Sequence, residues 1–170
     1  MQHVSAALRR ATPRDLDAIL RIYNEGIEDR LATLEVDSKT RSEIEDWWAQ
    51  HDEKYAVVVA EIGDSVVGWA SLNHFSHRCA HAAIADLSVY VARSQRGRGF
   101  GKALLEALEV AAGKSKFHKI VLHALDENQA GKRLYRRSGF AEVGVFREHG
   151  MLDGRYVDVV AMEKLLESSG

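Results

Sequence analysis

The segment from Tyr90 to Lys102 constrains this chain more than any other. It reads Tyr-Val-Ala-Arg-Ser-Gln-Arg-Gly-Arg-Gly-Phe-Gly-Lys, with an apolar β-run entering it and an amphipathic helix leaving it. Gly97, Gly99 and Gly101 allow positive φ and close backbone approach to a ligand. Arg96, Arg98 and Lys102 add positive charge to the turn. The following helix aims its free amides and positive dipole end at the same place. Together these features make an anion site, most naturally for phosphate.

The spacing excludes two common phosphate loops. A Walker loop needs Gly at 96 and Ser or Thr at 103, where this chain has Arg96 and Ala103. A dinucleotide fingerprint counted from Gly97 fails at Lys102, and counted from Gly99 it fails at Leu104. What remains is Arg96-x-x-Gly99-x-Gly101 between a strand and a helix. That motif resembles the pyrophosphate loop of the GCN5-related N-acetyltransferases, which bind acetyl-CoA. The alternative is a glycine-rich turn with a solvated basic rim.

The rest of the chain supplies elements of two periods. Leu8 to Ala11 reads as a first strand, and Thr12-Pro13-Arg14-Asp15 as a helix start with Thr as N-cap. Leu16, Ile19, Leu20, Tyr23 and Ile27 follow at helical spacing, with Gly26 expected to weaken or bend that helix. Residues 29–39 read as a loop, and a second helix over about 42–51 buries Ile44, Trp47 and Trp48. Tyr55 to Ile62 and Ser65 to Leu72 flank a Gly63-Asp64 turn as a hairpin. A third β-run, His81 to Ala92, feeds the glycine loop, and Leu104, Leu105, Leu108, Ala111 and Ala112 line one side of the helix after it. Lys119 to Leu125 is a strand, a helix follows Asn128 and closes at Ser138-Gly139, and Phe140 to Arg147 and Tyr156 to Met162 form a last pair around Asp153-Gly154. This order predicts an α/β (α+β) fold: a mixed, mostly antiparallel sheet with helices on both faces.

With 170 residues and 46% apolar content, the chain is read as a single domain over residues 1–170. A formal charge of −2 points to neither nucleic acid nor a membrane surface as partner. One cysteine leaves no internal disulfide framework and fits a reducing, cytoplasmic setting. Met1 to Arg10 holds no long apolar run, so neither a signal peptide nor a spanning helix is expected there. His74, His77, Cys79 and His81 do not follow a structural zinc spacing, and no metal site is expected.

Three residues invite chemistry. Asp86 shares a strand face with Ser88 and Tyr90, opposite Leu87, Val89 and Val91. It is either a solvent-facing strand residue or a general base that takes a proton from an amine. Tyr135, on the helix after Asn128, is either a core aromatic or the acid that protonates a leaving thiolate. Arg78, in the loop before the third run, is either solvated or a fork for a substrate anion.

A closer resemblance covers about residues 8–165. Leu8-Arg9-Arg10-Ala11-Thr12, Ile22-Tyr23-Asn24, Phe75-x-x-Arg78, Asp86 through Val91, the glycine loop, Asn128 through Phe140, and Asp153-Gly154-Arg155-Tyr156-x-Asp158-Val159 are similar to the phosphinothricin acetyltransferase branch. That branch includes enzymes for methionine sulfoximine, methionine sulfone and arsinothricin. The resemblance implies a homodimer that acetylates the α-amine of a small amino-acid-like compound, with acetyl-CoA as donor and no metal. It puts Asp86 at the base position and Tyr135 at a protonating position. The amides of Arg96, Gly97, Arg98, Gly99, Phe100, Gly101 and Lys102 would hold the pyrophosphate. The backbone of Val89, Tyr90 and Val91 would pair with the pantetheine arm, which Asn128 also contacts, and stabilise the tetrahedral oxyanion. Phe75, Arg78 and His81 would meet the substrate. Asp86 stands where relatives usually carry Glu, His81 where many carry Tyr, Phe75 where Trp is common and Leu152 where Lys is frequent. The shorter Asp86 side chain favours proton transfer through a bridging water. Rival expectations are a transferase for protein N-termini or polyamines, and an acyl-CoA-binding module without catalysis.

Overall fold

The computed structural model describes residues 5–167, so part of the N-terminal segment read above lies outside it. Seven strands form one sheet in the order β1-β2-β3-β4-β5-β7-β6. They are β1 (Ala7–Arg10), β2 (Val57–Ile62), β3 (Ser65–His74), β4 (Ile84–Val91), β5 (Lys119–Leu125), β6 (Ala141–Leu152) and β7 (Arg155–Leu165). The helices are α1 (Leu16–Glu28), α2 (Arg41–Trp48), α3 (Phe100–Lys114) and α4 (Gln129–Arg137). Every neighbouring strand pair is antiparallel except β4–β5. No helix among the described residues is long and apolar enough to cross a membrane.

Alternation along the strands divides the core. On one face, Ala85 and Leu87 of β4, Ile120 and Leu122 of β5, and Val160 and Met162 of β7 pack with Leu104, Leu105 and Leu108 of α3. Leu134 and Tyr135 of α4 border this layer. On the other face, Leu16, Ile19 and Ile22 of α1 and Ile44 of α2 pack on Val57, Val59, Val66 and Trp69. The side chains of Trp47, Trp48 and Tyr90 complete it. The β-period of 2 and the helical period of 3.6 thus meet as layers on both sides of the sheet.

Some boundaries differ from the sequence reading: β4 begins only at Ile84, after a 3-10 turn over Cys79–His81, and β6 runs from Ala141 to Leu152. Thr12-Pro13 opens a short 3-10 turn, Pro13–Asp15, and α1 begins only at Leu16. Asp15 is buried there because Arg9 reaches it with two hydrogen bonds, at 2.8 and 2.9 Å, and Thr12 N–H donates to it at 2.8 Å. Gly26, read as a weak point near the end of α1, lies two residues before its last residue, Glu28. A Cβ at position 26 would come within 2.9 Å of Tyr90 Cδ1, so the glycine serves close packing of α1 against β4.

The sheet is interrupted at its centre. β4 and β5 pair only at Ile84, Ala85 and Asp86, opposite Lys119, Ile120 and Val121. Beyond Asp86 the two strands splay. Ala92 N–H donates to Val67 O, which sets the phase of the β3–β4 ladder: Tyr90, Ser88 and Asp86 turn their backbone groups to β3. Those of Leu87, Val89 and Val91 therefore face the gap.

Candidate active site

A cleft of about 280 Å³ passes through the sheet at the splay. Asp86, Ser88 and Tyr90 enter it from β4, His123 from β5, Asn128 from the N-cap of α4 and Tyr135 from α4 itself. Thr33 and Leu34, from the connection between α1 and α2, also line it. The cleft therefore brings together Asp86 and Tyr135, which lie 49 positions apart on separate elements.

Asp86 is held by side chains rather than left to solvent. Asn73 Nδ2 donates to its Oδ2 at 3.2 Å and to Ser88 Oγ at 3.0 Å. His123 Nδ1 lies 3.9 Å from Oδ1. The carboxylate keeps 30% of its side-chain surface exposed, enough to meet a proton donor in the cleft. Tyr135 is pushed up to about 12, first by burial and then by the charge of Asp86, so its phenol stays protonated at ordinary pH. Tyr90 is likewise raised, mainly by burial.

The glycine loop closes one end of the cleft's free strand edge. Arg93–Gln95 forms a 3-10 turn, Gly97 and Gly99 take φ of +77° and +89°, and Gly99 is the N-cap of α3. A Cβ at either glycine would meet nothing within 4 Å, so space above the loop is open. The first helical bond is Ala103 N–H to Gly99 O, which leaves the amides of Phe100, Gly101 and Lys102 ahead of it without intrahelical acceptors. Gly101 carries no side chain because Leu134 Cδ2 would sit 3.0 Å from its Cβ.

The arginines of the loop have separate tasks. Arg96 turns away from the open space: Nη1 donates to Asp29 Oδ2 at 2.6 Å and Nε to Val91 O at 3.3 Å. Arg93 also donates to Asp29, at 3.0 Å. Hydrogen bonds from Arg93 and then Arg96 hold the Asp29 carboxyl below its ordinary range. Arg98, whose Nη1 donates to Gln95 Oε1 at 2.6 Å, and Lys102 remain exposed at the rim. The loop so built fits an extended anionic ligand: open amides, left-handed glycines and surface cations.

Asn128 caps α4, accepting from Gly131 N–H at 2.9 Å, and also lines the cleft. Phe75, Arg78 and His81 lie in the connection between β3 and β4. Phe75 and His81 pack edge to face at 5.0 Å, and Ser76 Oγ is 2.6 Å from His81 Nδ1. None of the three lines the cleft, and Arg78 is exposed. Sequence reasoning missed Asn73, Tyr23, His123 and the Thr33–Leu34 segment. Only the register Asn73↔Asp86 and the parallel step from β4 to β5 bring the first and third to the carboxylate. Ser88 was visible as the same-face neighbour of Asp86. Among the described residues no group of three or more His, Cys, Asp or Glu is placed to hold a metal ion.

Residues 16–140 match the family model described as Acetyltransferase (GNAT) family. The chain belongs to the GNAT acetyltransferases. It is 31% identical over 163 residues to the phosphinothricin N-acetyltransferase of Streptomyces coelicolor, covering 94% of this chain and 95% of that protein. Identity is also 31% over 166 residues to the L-methionine sulfoximine/L-methionine sulfone acetyltransferase of Pseudomonas paraeruginosa, covering 96% of each. The crystal structure of a GNAT phosphinothricin acetyltransferase from Sinorhizobium meliloti in complex with AcCoA superposes with a TM-score of 0.90 at 29% identity, over 95% of this chain and 89% of that one. The GNAT fold expected from the glycine loop and the element order is thus the fold of this chain.

Proposed function

We propose that this protein transfers the acetyl group of acetyl-CoA to the α-amine of a small amino-acid-like compound, the class to which the substrates named for its relatives belong. One observation carries this reading: a braced carboxylate, a protonated phenol and an unpaired strand edge share a single cleft. The amides ahead of Ala103 hold the pyrophosphate. The free amides of Val89 and Val91 and the Val89 carbonyl pair with the pantetheine arm, and an amide of this same edge receives the developing oxyanion. Asp86, directly or through water, takes the proton that the amine must lose before attack. The new C–N bond forms as the C–S bond breaks, and the sulfur leaves as a thiolate that accepts a hydrogen bond from Tyr135 O–H.

The same reading includes a homodimer in the cytoplasm. β6 is exposed along nearly its whole length, and it carries Val143, Val145, Phe146 and Met151 outward beside Tyr156 of β7. Such an apolar strip is large for a surface in contact with water alone. The single free thiol, Cys79, suits a reducing compartment.

The test is thiol release from acetyl-CoA with a panel of amines: phosphinothricin, methionine sulfoximine, methionine sulfone, arsinothricin, ordinary amino acids and a polyamine. Turnover of an α-amino acid supports the reading. Tight CoA binding without thiol release on any amine marks a binding module instead.

A further inference from the structure

A second cavity, of about 220 Å³, opens beside the cleft and shares Tyr23, Ser88 and Tyr90 with it. Its walls are four aromatic rings. Trp69 stacks on Tyr90 at 4.9 Å, Trp47 meets Trp69 edge to face at 5.2 Å, and Tyr23 meets Tyr90 at 5.0 Å. Ile44 lies behind them. A dry cavity of about 150 Å³ already takes a benzene ring. Ser88, two residues from Asp86 on the same strand face, lines both spaces, so the box adjoins the place where an amine at Asp86 would sit.

The charges at the mouth of the box limit what enters. Among the described residues Lys39 is the one cation that lines it, and it is paired with Glu35 at 2.8 Å, the contact that raises its pKa most. Glu43 adds a second carboxylate, fixed by Thr40 N–H at 2.8 Å as the cap of α2. The buried Trp69 Nε1–H has no acceptor, but it carries no charge. An anionic side chain would therefore lose its water against rings and two carboxylates, with no free cation to replace it.

We infer that this box is the side-chain subsite of the acceptor, and that it selects amino acids whose side chains are uncharged and largely apolar, aromatic or thioether, over anionic ones. The inference rests on the acetyltransferase reading above. The experiment measures kcat/KM for L-phenylalanine and L-methionine against L-glutamate and phosphinothricin, in the wild type and in Trp47→Ala, with CoA affinity as a check on folding. The first pair is expected to exceed the second by roughly tenfold or more, and Trp47→Ala to erase most of that ratio. In the wild type, tryptophan fluorescence is expected to change on adding phenylalanine or methionine and not on adding glutamate. This second measurement needs no variant. Turnover of phosphinothricin or glutamate as fast as the apolar pair overturns the subsite and leaves the enzyme reading standing, as does a ratio that survives in a folded Trp47→Ala. No transfer to any amine, with CoA still bound, removes both.

Discussion

The carboxamide of Asn73 donates to Asp86 across the β3–β4 ladder at 3.2 Å, and its own oxygen is pinned from behind. Ser71 Oγ donates to that oxygen at 2.9 Å, and His51 Nε2 lies 2.9 Å from it. His51 is in turn anchored at Nδ1, 2.7 Å from Trp47 O. The Ser71 hydroxyl thus holds the amide so that its nitrogen, not its oxygen, faces Asp86, and the His51 ring lies behind it at the end of α2. An oriented donor fixes where the carboxylate stands in the cleft.

Replacing Asp86 by Asn removes the proton acceptor and keeps the shape. The expected loss in kcat is about 10²- to 10⁴-fold, the usual worth of a general base. Unchanged turnover across pH would exclude Asp86 from that role. Asn73→Leu removes the donor while Asp86 stays. With the donor lost, the carboxylate is no longer held in one orientation, so kcat is expected to fall about 10- to 100-fold while CoA affinity is kept. Full kcat in a folded Asn73→Leu would show that Asn73 does not position Asp86.

Tyr135 gives a different signature. A phenol near 12 is fully protonated through the neutral and mildly alkaline range, so it adds no basic limb below that value. An alkyl thiol is a stronger acid than a phenol raised to about 12, so the leaving thiolate is too weak a base to strip it outright and the contribution is chiefly a hydrogen bond to the departing sulfur. Tyr135→Phe is therefore expected to lower kcat about 10- to 100-fold, the worth of one hydrogen bond to a charged group, with CoA affinity retained. Full turnover in the variant would dismiss the role. The same raised value has a stability consequence. The unfolded tyrosine ionises at about 10 and the folded one later, so stability is complete below pH 10 and declines as pH rises toward 12. Tyr135→Phe should flatten part of that alkaline decline in a denaturant series.

Gly26→Ala sets helix propensity against packing. In a free helix the change would stabilise by about 0.5–1 kcal/mol. Here the new methyl lies 2.9 Å from Tyr90, and overpacking costs about 1–3 kcal/mol. Net destabilisation is expected in urea melts, with a rise in KM for the amine because Tyr90 walls both cavities. A more stable, fully active variant would show that Tyr90 gives way freely.

Gly26 also marks the limit of what could be read from the chain. The glycine loop, the hairpin around Gly63-Asp64, β5 and the Asp153-Gly154 turn follow from local signals: positive-φ residues between runs of one period. Asp86 stood out as a carboxylate in an apolar strand. Asn73, His123 and the aromatic box did not, because each depends on which strand lies beside which. A period of 2 tells the face a residue takes and says nothing of its neighbour across the ladder. Arg96 shows the same limit. Its amide reads as part of the pyrophosphate loop, and nothing local tells that its side chain pairs with Asp29, at the C-terminal end of α1.

That pair supports the final expectation. Asp29 receives Arg93 and Arg96 from opposite ends of the turn, and Arg96 also ties back to Val91 O. The glycines give the loop freedom, and this carboxylate takes some of it away before the ligand arrives. Asp29→Ala frees both guanidinium groups and adds positive charge beside the proposed pyrophosphate site. The added charge alone would tighten an anion, whereas the lost order would weaken it. Preorganised amides give up less entropy on binding, and the side-chain ion pairs here are partly exposed and screened, so order should prevail. KM for acetyl-CoA is expected to rise about fivefold with kcat nearly unchanged, a loss of binding common to ground and transition states. The rise should persist at high salt, where an effect of charge alone would fade. A lower KM at low salt that returns to the wild-type value at high salt would assign Asp29 to electrostatics and leave the loop's order to its glycines.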